Sequence, residues 1–218
     1  MRHGKTFRAV VYDLDGTLVD SMPMVLQAFA YALEPYLPPL SPMELFARLG
    51  GPPDRTFREL LGNETHAAVA LRRLEEFSRA NWRLIRAFDG MDGHLEAMRG
   101  DGLALAVWTG RERESTEWIL REQRLEAKLQ TVVCGDDLPT HKPHPGGLEE
   151  ILHRLTATRE ETLFVGDADV DVLAGAEAGV RTLLIRHGRE IRPEVLTKAW
   201  RVVETPIEAY AVVSAAIA

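Results

Sequence analysis

From Gly90 to the C-terminus, short apolar runs alternate with stretches whose apolar residues recur every three or four positions. The runs LALAVWT, LQTVVC, TLFVG, VRTLLI and RVVE have the length of strands, and intervening segments such as RESTEWILRE and GGLEEILHRL have helical spacing. This alternation predicts an α/β fold: a mostly parallel sheet with helices on both faces. One further run, RAVVYD, lies near the N-terminus, followed from Val19 to Phe88 by helical patterns only: MVLQAFAYAL, MELFARL, RTFRELL and AAVALRRLEEFSRANWRLI. Pro38 and Pro39, Gly50 to Pro53, and Gly62 with Asn63 break this block into separate helices. A lone strand cannot satisfy its backbone groups, so RAVVYD joins the later sheet and the helical block is an insertion after strand one. The expected organisation is a core from residues 1–18 and 89–218 and an inserted helical domain over 19–88. The C-terminal IEAYAVVSAAIA reads as a last helix packed on that core.

Composition narrows the partners. With 218 residues, 45% hydrophobic and 27% charged, the chain is an ordinary globular protein of one or two domains. A formal net charge of −7 argues against a nucleic-acid surface, which needs basic clusters to neutralise phosphates. No run approaches the roughly 18 apolar residues of a membrane span, so no membrane partner is expected. A single cysteine, Cys134, and an N-terminus, MRHGKTF, without a signal-like apolar stretch suggest a cytoplasmic setting.

In open parallel sheets, sites form beyond the carboxyl ends of the strands. The loops there read DLDGT at Asp13, TGRE at Thr109, THKPHP around Lys142 and GDADVD at Asp167. Each has a local explanation. Asp-Gly is a turn dipeptide, Thr109 with Glu112 has the spacing of a capping box opening RESTEWILRE, and Asp167 and Asp171 could be helix-start acids favoured by the dipole. Lys142 fits less easily, because Pro143 and Pro145 stiffen its loop and a cation just before a helix sits at the unfavourable end of the dipole. It calls for an anionic partner. The spacing of Asp167 and Asp171 puts both carboxylates on one face of a helix start, and the small residues of AGAEAG let that helix approach the sheet closely. A calcium loop is excluded, since its sixth and twelfth positions would be Val172 and Ala178. Cys134, His141 and His144 lack a fourth ligand for zinc, and Trp82, Trp108 and Trp118 occupy packing positions. Together the four loops offer carboxylates suited to Mg²⁺, with a hydroxyl at a helix N-terminus and a lysine suited to a phosphoryl group.

DLDGTLVDS, the apolar run into Thr109, Lys142 followed by Pro143 and Pro145, and GDADVD, in this order, resemble the four motifs of the haloacid dehalogenase-like hydrolase superfamily. The resemblance covers nearly the whole chain. The insertion is similar to the helical cap of the phosphoglycolate phosphatase-like and β-phosphoglucomutase-like group, which implies a Rossmann-like core. It further implies that Asp13 is the nucleophile that forms an aspartyl-phosphate and that Asp15 is the general acid and then the base. Alternation along an extended segment would bring these two carboxylates to the same side. Mg²⁺ would be held by the Asp13 carboxylate, the Asp15 main-chain carbonyl and Asp167, with Asp171 in support or as an additional ligand. Thr109 and the N–H of Gly110 would hold phosphoryl oxygens, and Lys142 would offset charge beside Asp13. Arg55, in GGPPDRTFREL near a break in the cap, is either a substrate contact or a solvated helix residue.

The implied substrate is a small phosphorylated metabolite, with phosphoglycolate first and sugar phosphates, nucleotides or pyrophosphate behind it. An acid at Asp15 separates this pattern from the dehalogenase branch, and MPMVLQ lacks the early cap histidine usual in the mutase-like group, so hydrolysis is favoured over isomerisation. The joint presence of Asp13 and Asp15 argues against a non-catalytic binding module. Two positions depart from the common pattern: Ala168 stands where serine or threonine is frequent, and Gly110 where asparagine or serine is frequent.

Overall fold

The computed structural model describes residues 7–46, 48 and 53–217, which divide into two compact units. One takes in the described residues through Asp20 and those from Arg86 onward, and the other is Ser21–Ile85. The strands are β1 (Ala9–Tyr12), β2 (Val19–Asp20), β3 (Arg86–Ala87), β4 (Ala104–Trp108), β5 (Thr131–Val133), β6 (Thr162–Gly166), β7 (Arg181–Ile185) and β8 (Arg201–Val203). Helices α1 (Met22–Leu33), α2 (Pro42–Phe46), α3 (Pro53–Leu61) and α4 (Glu64–Asn81) belong to the smaller unit. Helices α5 (Met91–Gly100), α6 (Arg113–Glu122), α7 (Gly146–Leu155), α8 (Asp169–Ala178), α9 (Pro193–Leu196) and α10 (Pro206–Ile217) belong to the larger. No described helix is long and apolar enough to cross a membrane.

Six strands form one sheet in the order β5-β4-β1-β6-β7-β8, every neighbouring pair parallel. All six expected runs are strands. Val10–Tyr12, Leu105–Val107, Leu163–Val165 and Leu183–Ile185 are fully buried, which is why they read as unbroken apolar runs rather than alternating ones. The strand order reverses between β1 and β6, the point where open α/β sheets form their binding crevice.

The smaller unit is built on a core of Phe29, Ala32, Leu33, Leu45, Phe57, Ala67 and Ala70. Asn63 breaks the chain as its turn chemistry predicts, by capping α4: its Oδ1 accepts the His66 N–H at 2.9 Å. The ends of the insertion differ from the all-helical expectation, because Val19–Asp20 and Arg86–Ala87 pair as a two-stranded antiparallel ribbon. Two residues a side are too short to show a period.

The small residues of α8 act as expected. A Cβ at Gly175 would overlap Thr182 Oγ1 on β7, so only glycine lets α8 lie this close to the sheet. Gly175→Ala should therefore destabilise the protein by about 1–3 kcal/mol. Urea unfolding checks this, and an unchanged midpoint would show that α8 relaxes without cost.

Candidate active site

The loops after β1, β4, β5, β6 and β7 contribute to a single cluster. Asp13 follows β1 directly, and its N–H continues the ladder by donating to Val165 O at 2.8 Å. The chain then bends: the N–H groups of Leu18 and Val19 both donate to Leu14 O at 3.0 Å. β1 thus ends before a bend at Leu14, and Asp15 bridges Val19 across the turn that follows, so no continuous extended segment carries both acids, which corrects the expectation that simple alternation aligns Asp15 with Asp13. Gly16 makes the turn possible. Its φ is +75°, and a Cβ there would overlap Asp167 Oδ2.

Lys142, from the loop before α7, reaches back to this edge. Its Nζ donates to Asp13 Oδ1 at 2.6 Å and to Trp108 O at 2.9 Å, and it lies 2.8 Å from Asp171 Oδ1. The ammonium is 8% exposed and stands 4.8 Å from the centroid of the Trp108 ring and 5.3 Å from that of Phe164. Trp108 is thus more than a packing residue. The anion that Lys142 requires is supplied within the protein by Asp13 and Asp171.

Asp171 sits at the third position of α8, where its Oδ2 accepts the Ala168 N–H at 2.9 Å. Asp167 lies just outside the helix, which begins at Asp169, so the two acids do not share a helical face; the turn into α8 brings them together instead. Asp13, Asp167 and Asp171 each offer a carboxylate oxygen within 4.8 Å of the others, the only such set of metal-ligating side chains among the described residues. Cys134, His141 and His144 form no such set. Asp171 Oδ1 is buried and, despite the nearby ammonium, has no well-angled hydrogen bond. Three hard oxygen donors, one of them unsatisfied, fit a small divalent cation.

Crowding shapes the electrostatics. Burial pushes the Asp13 carboxyl up to about 7; Lys142 pulls it back, while Asp171 and Asp15 push it further up. Burial, Asp13 and Asp171 likewise hold Asp167 well above the usual carboxylate range. Burial works against the charge on Lys142, but Asp13 and Asp171 outweigh it and hold the ammonium above the usual lysine range.

Thr109 follows β4, and its backbone N–H donates to Val133 O at 3.0 Å. It does not cap α6, as its spacing from Glu112 suggested. Glu112 is the N-cap residue, and Thr109 Oγ1 accepts the Arg111 N–H at 3.1 Å, which leaves the hydroxyl proton free to donate elsewhere. Capping-box spacing does work at Ser41 and Glu44, where the Glu44 N–H donates to Ser41 Oγ at 3.3 Å and the Ser41 N–H to Glu44 Oε2 at 2.8 Å.

The residue that sequence reasoning missed is Arg111. Its Nε donates to Asp15 Oδ2 at 2.6 Å and its Nη2 to Asp15 Oδ1 at 2.8 Å. Nothing at the level of spacing links positions 96 residues apart; the visible signal was a cation two residues after Thr109. His187 and Arg189, after β7, were missed as well: His187 Nε2 lies 2.7 Å from Gly16 O, and Arg189 Nη2 donates to Asp167 O. Arg55 belongs to the helical unit, where it pairs with Glu59 at 2.8 Å and is 69% exposed. Its assignment as a substrate contact rests on the resemblance alone.

Behind the DLDGT loop lies a buried polar chain. Tyr210 of α10 donates to Thr17 O at 2.7 Å, its ring stacks on His94 at 4.6 Å, and His94 Nε2 lies 2.7 Å from the Tyr12 hydroxyl. The C-terminal helix thereby anchors the loop that carries Asp13 and Asp15.

An all-parallel sheet with acids and clamping cations gathered at its switch point defines a doubly wound α/β protein with its one acidic cluster of metal-ligating groups, among the described residues, at that edge. The family model for haloacid dehalogenase-like hydrolases matches residues 10–185. The chain is 30% identical over 186 residues to the pyrophosphatase PpaX of Halalkalibacterium halodurans, covering 85% of each. It is 32% identical over 205 residues to phosphoglycolate phosphatase 1 of Pseudomonas aeruginosa, covering 87% of this chain and 75% of that one. Its fold is similar to the crystal structure of a predicted phosphoglycolate phosphatase from Haemophilus somnus 129pt, with a TM-score of 0.83 at 23% identity over 95% of this chain and 98% of that one. The chain belongs to the haloacid dehalogenase-like hydrolases.

Burial holds the His94 imidazole down at about 4, from an ordinary 6.5, so it is neutral in the folded protein at neutral pH. As pH falls below 6.5 the unfolded chain takes up this proton first, so the stability His94 contributes is intact above 6.5 and lost toward pH 4. The loss should reach about 3 kcal/mol. Asp13 acts with the opposite sign, so the test compares parent with His94→Gln in urea unfolding across this range. The variant should show less acid destabilisation; parallel curves would overturn the assignment.

Proposed function

We propose that this protein is a Mg²⁺-dependent phosphatase that hydrolyses a small phosphorylated metabolite through an aspartyl-phosphate on Asp13. The observation that carries this reading is the Asp13 carboxylate itself, at the end of β1, held by Lys142 at 2.6 Å and set beside Asp167 and Asp171. An Asp13 oxygen attacks phosphorus, the bond from phosphorus to the leaving oxygen breaks, and Asp15 delivers a proton to that oxygen. Asp15 then takes a proton from water as the water oxygen attacks the same phosphorus, releasing phosphate and restoring Asp13. The Thr109 hydroxyl and the Gly110 N–H donate to phosphoryl oxygens, and Lys142 keeps the nucleophile ionised beside its acidic neighbours.

Asp13, Asp167 and the Asp15 carbonyl would hold the cation, with Asp171 in support. When bound, the ion supplies positive charge that offsets both the crowded carboxylates and the phosphoryl oxygens. The helical insertion takes the role of cap. The relatives' names point to pyrophosphate and phosphoglycolate as the first substrates to try.

Asp13→Asn should fold normally, since the amide is nearly isosteric, and lose turnover by about a thousandfold or more. Near-parental phosphate release from the folded variant would sink the nucleophile assignment. Chelation should stop activity, with Mg²⁺ restoring it and Ca²⁺ failing to, because its larger and less regular shell misplaces the nucleophile. Full activity after exhaustive chelation would refute the metal requirement.

A further inference from the structure

Asp15 carries the proton in the proposed reaction, yet a guanidinium grips both its oxygens. The Arg111 fork, with contacts of 2.6 and 2.8 Å, takes up the syn edge of the carboxylate, the edge that handles protons best. Charge reinforces the grip. Although burial works against the guanidinium, Asp15 and then Asp13 outweigh it and hold Arg111 above the usual arginine range.

The backbone of Arg111 is fixed on both sides. Its N–H donates to Thr109 Oγ1 at 3.1 Å and its carbonyl accepts the Gly135 N–H at 2.6 Å, so only the side chain has freedom to move. Arg111 also forms part of the wall of an open cleft of about 470 Å³, shared with Gly110, Ser115, Asp136 and His141. Solvent-borne anions can therefore reach the residue that holds Asp15. Glu112 and Asp136 line the same cleft and repel anions, so an anion entering it is held only where it reaches the Arg111 guanidinium itself.

We propose that Arg111 is a latch on Asp15 opened by the substrate's own second anionic group. When a carboxylate or second phosphoryl group a few bonds from the scissile bond draws the guanidinium away, one ion pair replaces another and the Asp15 edge is released toward the leaving oxygen. The enzyme thereby selects compact metabolites bearing two anionic groups. This deepens the phosphatase reading and rests on it.

The test compares parent, Arg111→Ala and Arg111→Lys in the presence of Mg²⁺, on phosphoglycolate, pyrophosphate and an aryl phosphate with a neutral tail. Arg111→Ala should lower kcat/KM for the two-anion substrates by about tenfold to a hundredfold, the loss of a charge-assisted pair, while raising kcat on the aryl phosphate severalfold as Asp15 is freed. Arg111→Lys, which keeps the charge and loses the fork, should retain part of the preference. Equal losses on all three substrates would mean a structural or general catalytic role and overturn the latch. Should Arg111→Ala fail to fold, the parent decides: acetate added with the aryl phosphate should speed its turnover by supplying the second anion separately, and no stimulation overturns the proposal. A parent that cleaves the aryl phosphate without preferring the two-anion substrates defeats the latch alone; a parent inert toward all three defeats the phosphatase reading with it.

Discussion

The site depends on one buried ammonium. Lys142 Nζ donates to Asp13 and to the Trp108 carbonyl and forms an ion pair with Asp171, and so ties together groups from the ends of β1 and β4 and the start of α8. Burying a charge is costly unless it is paired, and burying two carboxylates side by side is costlier still, so neither the lysine nor the acids could occupy this edge alone. Loss of the ammonium would leave two like charges facing each other at low exposure. The cluster holds together as a neutralised whole.

The backbone makes that neutralisation geometrically possible. Strands buried on both faces end within a residue of one another, Tyr12 pairing with Val107 and Val165 just before Trp108 and Gly166, so the loops that follow them start from the same edge. Gly175 brings α8 close to the sheet, and α8 presents Asp171 to Lys142; Gly16 turns the chain at the one point where a side chain would strike Asp167. Tyr210 then holds Thr17 from behind. Precision at the reactive edge is thus supplied by small residues where backbones must approach and by hydrogen bonds to main-chain carbonyls where loops must stay put.

How much of this was legible in the sequence follows from the range of each interaction. The six sheet strands were readable because full burial writes a continuous apolar run, whereas the β2–β3 ribbon was invisible at two residues a side. Lys142 could be marked as needing an anion from its stiff loop and its position before α7, and Asp13 and Asp171 now fill that need. Local spacing misled where tertiary contacts competed for the same group. Thr109 and Glu112 have the spacing of a capping box, but the Arg111 amide takes the threonine oxygen, while the same spacing at Ser41 and Glu44 forms the box.

Arg111 shows why the charge balance of a site resists reading from motifs. The family motifs mark carboxylates and one lysine, which leaves Asp13, Asp15, Asp167 and Asp171 against a single cation. The fold adds a second cation, two residues after the motif's threonine, and pairs it with Asp15. Asp13 and Asp15 thus repel each other across a short turn, but each has its own counter-ion, Lys142 on one and Arg111 on the other. The two clamps differ in kind. Lys142 is 8% exposed and is braced by a carbonyl and two aromatic rings, whereas Arg111 is 19% exposed and borders an open cleft. The clamp on Asp13 is therefore the more enclosed of the two, and the clamp on Asp15 stands beside an open cleft.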